Sequence, residues 1–203
     1  MRQLLKRFVA IILVTGLFSP SLSAYQLIYK EQLYRLHHEQ LYMDPLDIAE
    51  NIHWLEEALR ADFANPLNAL ATIHNPQEWE TYRNLFTMHL NLKLVEIYLQ
   101  WGSKYNKFEA YFFNAPFKRQ NLESLDIAEK LFKYALVYWS QAKDWSIKAG
   151  ANKWINLPEI QFWHDEQSRI QDGSLDYAAI IAKHLQRLAT VRAKFKAMDD
   201  KTY

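Results

Sequence analysis

An all-helical chain of about six to eight helices, forming one domain behind an export signal, is what this sequence predicts, and three observations predict it. Glycine and proline are scarce, 4 and 6 in 203 residues, while aromatics make up 15%, a composition that argues against a repetitive β-architecture or a disordered linker chain. Apolar residues recur three and four apart over most of the length. Proline follows a short polar residue at Asp44-Pro45, Asn65-Pro66 and Asn75-Pro76. A side-chain oxygen there accepts a first-turn N–H, and the ring occupies the first helical position, where no amide is needed.

The first 24 residues set the compartment. Arg2, Lys6 and Arg7 form a basic start, Phe8 to Phe18 an apolar run, and Ser21-Leu22-Ser23-Ala24 a small-residue exit before Tyr25, the pattern of a secretory signal. The apolar run is shorter than the roughly 20 residues a membrane span needs. Residues 1–24 are therefore expected to be a signal peptide, cut after Ala24 or Ser23 or kept as an anchor, and residues 25–203 a single periplasmic domain, associated with the inner membrane only through an uncleaved signal. The whole chain has 24 Lys+Arg and 23 Asp+Glu. Removing the three signal cations leaves 21 minus 23, a formal charge of −2, so nucleic acid is not an expected partner. No cysteine is present, which removes disulfides, thiol catalysis and cysteine lipidation and leaves stability to packing.

Each helix can be placed in turn. Tyr25 to Tyr42 predicts an aromatic-rich helix, and Pro45 to Ala61 a second with Ile48, Ile52, Leu55 and Leu59 on one face. A further start is expected near Pro66. From 77 to 105, Leu85, Leu92 and Leu99 recur every seven residues with Met88 and Val95 between them, and Phe86, Leu90, Leu94 and Ile97 widen the apolar surface, so this helix is expected to be buried between neighbours on two sides. Tyr105 to Pro116 breaks the period. Leu122 to Ala149 resumes it, with Ala128, Leu131, Phe132, Ala135, Trp139 and Ala142 three or four apart, ending at Gly150. A shorter helix is expected from Pro158 to Ile170, stopped by Asp172-Gly173. The last helix, capped by Ser174, carries Ile181, Leu185, Leu188, Val191, Phe195 and Met198 as a stripe.

An internal echo raises the question of repeats: Leu46-Asp47-Ile48-Ala49-Glu50 recurs as Leu125-Asp126-Ile127-Ala128-Glu129, and both copies are expected to open a helix. Ala128-x3-Phe132-x2-Ala135 resembles the small, aromatic, small pattern of a tetratricopeptide (TPR) second helix, and Glu57 to Pro66 resembles the ending of that repeat. Phe63 stands where the family has proline, Asn51 where it has a small residue, and no unbroken 34-residue period runs through the chain. The resemblance implies a TPR-like α-solenoid or helical-hairpin array over residues 45–150. Ile52 to Leu67, with Gly102-Ser103-Lys104-Tyr105 and Ala110 to Pro116, is also similar to exported TPR-like proteins of spirochaetes. That likeness implies a periplasmic scaffold in an envelope assembly such as the flagellar motor collar, and hence a part in motility.

Catalytic and metal chemistry leave little trace. Adjacent histidines at His37-His38 point about 100° apart on a helix, His164-Asp165-Glu166 has the same defect, and no HExxH spacing exists, so no metal and no cofactor are expected. A nucleophile elbow and a phosphate-binding loop are absent. An exported, aromatic-rich helical protein could still act on glycan or peptide, with Glu159 or Glu166 as the acid beside Trp154, Phe162 and Trp163. A small-ligand binder with a cavity between aromatic helices is a further alternative. Trp139, Trp145, Trp154 and Trp163 read as core. The favoured reading is a non-catalytic interaction scaffold for other periplasmic or envelope proteins, with Tyr105, Tyr111, Phe112, Phe113, Phe117 and Lys118 as its partner-binding residues.

Overall fold

The computed structural model describes residues 27–111, 116–152 and 154–199. Residues 1–24, the expected export signal, and Phe112 and Phe113 of the expected partner-binding set lie outside the described residues. Within them the fold is all-helical, with six α-helices: α1 (Lys30–Met43), α2 (Ile48–Arg60), α3 (Pro76–Tyr105), α4 (Lys118–Ala149), α5 (Gln161–Gln171) and α6 (Tyr177–Ala197). Helices adjacent in sequence pack in pairs from α1 to α4; α6 returns against α4, and α5 lies against both α3 and α4. The α3 and α4 pair, 30 and 32 residues long, is the frame of the molecule.

Local chemistry fixes each start. Residues 27 to 29 are not helical, and α1 begins at Lys30, later than the sequence suggests. The buried Lys30 ammonium donates to the carbonyls of Ala58 (2.6 Å) and Leu59 (2.8 Å), so the first residue of α1 satisfies the last turn of α2. Helix α2 opens at Ile48 rather than Pro45, because Asp47, not Asp44, accepts from the Glu50 amide at 3.0 Å. Asn65-Pro66 opens only a single 3-10 turn, Pro66–Asn68: its cap is made, Asn65 accepting from Leu67 at 2.8 Å, but no periodic apolar run follows to bury a longer helix. Asn75-Pro76 does open α3, Asn75 accepting from Glu78 at 2.9 Å. The last helix is capped by Asp176, which accepts from Ala178 and Ala179. Ser174, the expected cap, instead lies in the turn around Gly173, whose φ of +79° suits glycine.

Helix α3 is buried around most of its circumference, Tyr82, Leu85, Phe86, Met88, Leu90, Leu92, Leu94 and Val95 all being enclosed. It crosses α4 at Gly102, where an added Cβ would stand 2.6 Å and 2.8 Å from the Phe132 ring. The small, aromatic, small set Ala128, Phe132 and Ala135 is fully buried at this interface. The repeat echo, in contrast, does not mark equivalent positions. Its first copy opens α2 with Ile48 buried and Leu46 exposed; its second lies inside α4, already begun at Lys118, with Leu125 buried and Ile127 exposed. The two copies thus present different faces to the core.

Candidate partner-binding surface

Helix α3 ends where its apolar period ends. Asn106 takes an extended conformation, its amide donating to Gly102 at 3.0 Å, and the chain leaves the helix axis with aromatic side chains no longer in step with any buried face. Tyr105 is half-buried against the core, and its carbonyl accepts from the Ser124 hydroxyl at 2.7 Å, so it belongs to the fold. Tyr111 is 50% exposed and Phe117 57% exposed. Phe108, which the sequence reading passed over, is the most exposed of the three at 64%, with the Arg187 guanidinium 4.9 Å from its ring centre. Its position in the same aperiodic segment was the signal that could have found it.

Lys118 anchors rather than presents. Its ammonium donates to the carbonyls of Lys196 (3.1 Å) and Met198 (2.7 Å), a cation placed on the unpaired carbonyls at the end of α6. The start of α4 is thereby tied to the end of α6 beside the aromatic segment. The Tyr111 phenol, hydrogen-bonded to the Glu109 carboxylate, is held above its ordinary pKa and so stays neutral. Tyr105 and Lys118 are thus tied to the body, and Phe108, Tyr111 and Phe117 are exposed between them, the kind of large, stiff side chains that anchor protein interfaces.

The residues weighed for chemistry have other uses. Glu159 is exposed and bonded to the Thr72 hydroxyl (2.6 Å) and amide (3.2 Å), contacts that lower its carboxyl pKa; a general acid needs the opposite shift. Glu166 lies 2.7 Å from Nδ1 of the buried His89, whose Nε2 lies 2.8 Å from the Tyr34 hydroxyl. With Glu166 ionised it accepts from Nδ1–H, and the Tyr34 hydroxyl donates to Nε2. Burial lowers the His89 pKa and raises that of Tyr34, so a neutral imidazole and a neutral phenol join α1 and α3 to the Glu166 carboxylate of α5, and the phenol is not activated. Of the four tryptophans expected in the core, Trp139 and Trp163 are buried, Trp145 is half-buried under the Lys148 ammonium, and Trp154 is 97% exposed. His37 is buried and His38 exposed on α1, and among the described residues no three of His, Cys, Asp and Glu gather to hold an ion. A groove of about 590 Å³ lies between the start of α1 and α2, beside Leu33, His53, Trp54 and Arg60. No helix among the described residues is long and apolar enough to cross a membrane.

No curated protein and no solved structure matches the chain. Residues 77–198 match the family described as Domain of unknown function (DUF8513). That span runs from the second residue of α3 to Met198, the residue just after α6, leaving α1 and α2 before it. With more than half of its length inside the match, the chain belongs to the DUF8513 family.

Proposed function

We propose that this protein is an exported, non-catalytic scaffold that docks another envelope protein on the aromatic end of the α3 and α4 pair. The observation that carries this reading is the exposure of Phe108, Tyr111 and Phe117 on one aperiodic segment whose flanks, Tyr105 and Lys118, are fixed to the body. Exposed aromatics on a pre-ordered support lose little entropy on binding and bury much area. The basic, apolar and small-residue pattern of residues 1–24 supports export to the periplasm. The TPR-like helix patterns, and their likeness to spirochaete envelope scaffolds, support an assembly such as the flagellar motor collar as the setting.

A photo-crosslinking amino acid placed at Phe117 or Tyr111 in the cell that makes the protein tests the docking surface. A discrete adduct with one envelope protein is expected, absent when the same group replaces the exposed Glu80 on α3. Adducts equally strong from both positions, or none from either, would contradict the assignment.

A further inference from the structure

One face of α4 runs uncovered between two packed flanks. On one side Arg192 of α6 reaches Asp126 (2.8 Å) and Glu129; on the other the Tyr138 hydroxyl donates to Glu56 of α2 at 2.8 Å. Between these flanks Ile127, Tyr134 and Val137 are exposed, although helix interfaces elsewhere in the molecule bury residues of these types. Lys130 lies on the same stripe between Ile127 and Tyr134, and the stripe continues through polar positions to Glu123 toward the start and to Gln141, Asp144 and Lys148 toward the end. The full stripe alternates steps of four and three. Two helices can face each other along such a stripe, here with apolar residues at three of its eight positions and polar or charged residues at the other five.

We propose that this seam pairs with the same seam of a second copy, the two α4 helices running antiparallel about a twofold axis between Tyr134 and Val137. A twofold axis requires each position to meet one on the other copy whose number makes the same sum. With the axis so placed, Tyr134 packs on Val137 of the second copy, and Lys130 lies beside the Gln141 side chain. At each end Glu123 meets Lys148, an opposite-charge pair made twice by symmetry. No like charges oppose each other in this register. A parallel pairing would instead stack Glu123 on Glu123, Lys130 on Lys130, Asp144 on Asp144 and Lys148 on Lys148, four repulsive layers. Charge complementarity therefore favours the antiparallel direction, and the self-complementary order of charges is what fits a second copy of this chain to the stripe. Ile127 opposite Asp144 is the weak layer. Three apolar residues per copy cover less than the roughly 800 Å² per partner of a stable interface, so the dimer is a weak, concentration-dependent one. This interface is separate from the aromatic end and does not depend on the function proposed for it.

Sedimentation of the purified protein over a wide concentration range tests the pairing. A shift from one chain to two is expected. Tyr134→Lys should abolish it, Glu123→Lys should weaken it several-fold, and Glu123→Lys with Lys148→Glu in one chain should restore it. Because the chain has no cysteine, the register can be read by oxidation. A mixture of Lys130→Cys and Gln141→Cys chains should form a mixed disulfide, while Lys130→Cys alone should not, its two copies lying about 16 Å apart along the axis. Helical circular dichroism confirms that each variant is folded. A monomer at every concentration, a dimer indifferent to Tyr134→Lys, or a disulfide between two Lys130→Cys chains would overturn the proposal.

Discussion

Two groups of aromatic side chains, built from the same residue types, meet opposite fates in this molecule. Across α1, α3 and α5, Phe86 and Trp163 stack with ring centres 4.8 Å apart, Tyr34 meets Phe86 edge-on at 5.1 Å, and Tyr82 lies 5.7 Å from Phe86; all four are enclosed. Past the end of α3, Phe108, Tyr111 and Phe117 stand mostly in solvent. The difference is one of register. Tyr82 and Phe86 sit four apart on a helix whose buried faces they join, so folding carries them inward. The exposed three sit where Asn106 has ended the helix, so no buried face claims them. Aromatic content alone therefore says nothing about a site; aromatic content out of step with its helix does.

The comparison can be broken or sharpened by experiment. The largest effect is expected at the centre of the buried group, where Trp163→Ala removes a fully enclosed ring stacked on both Phe86 and His89. A loss of about 3–5 kcal/mol is expected in urea unfolding.

Acid should act next, and through the same group. Burial lowers the pKa of His37 to about 4, and lowers those of His89, His38 and His164, whereas an unfolded histidine titrates near 6.5. Because the folded values are depressed, the unfolded chain binds more protons below pH 6.5, and stability falls as pH drops from about 6.5 toward 4. His37 alone contributes about 3 kcal/mol to that loss. Urea midpoints at pH 7 and pH 5 should differ, and His37→Leu should reduce the difference.

At the crossing of α3 and α4, Gly102→Ala would drive a methyl into the buried Phe132 ring, for an expected loss of about 1–3 kcal/mol. The smallest effect belongs to the exposed group: Phe108→Ala and Phe117→Ala should each change stability by less than about 0.5 kcal/mol.

Much of the fold was legible because the apolar period is long and clean in α3, α4 and α6, where the predicted stripes Leu85 to Val95 and Ala128 to Ala142 match the buried residues, as do Ile181, Leu188, Val191 and Phe195 of α6, with Leu185 and Met198 half-buried at its edge. Capping chemistry was legible only in part. Asn75-Pro76 opens a helix and Asn65-Pro66 does not, since a cap starts a helix but only tertiary burial extends it. Asp47 displaced the expected start at Asp44 because it stands next to Ile48, the first residue of α2 that the body encloses, and Asp176 displaced Ser174 because Ser174 is held in the turn with Asp172 around Gly173. The buried ties escaped sequence reading for another reason: Lys30 with Ala58, Tyr34 with His89 and Glu31 with Tyr82 join residues 28 to 55 positions apart, and no local pattern announces such pairs. At the aromatic end, Tyr111 and Phe117 were legible as exposed candidates, whereas Tyr105 and Lys118 proved to be its anchors. The echo at 46–50 and 125–129 misled because a five-residue match fixes composition but not the angle at which a helix meets its neighbours.

The central claim is that the exposed aromatics serve a partner while the buried ones serve the fold. It is tested most directly by one variant, Phe108→Ala with Tyr111→Ala and Phe117→Ala, melted in parallel with the wild type and then used beside it as bait for its own cell envelope. The account predicts melting temperatures within a few degrees of each other and an envelope protein retained by the wild type but lost from the variant. A variant that melts far lower, or that captures the same proteins as the wild type, would contradict it.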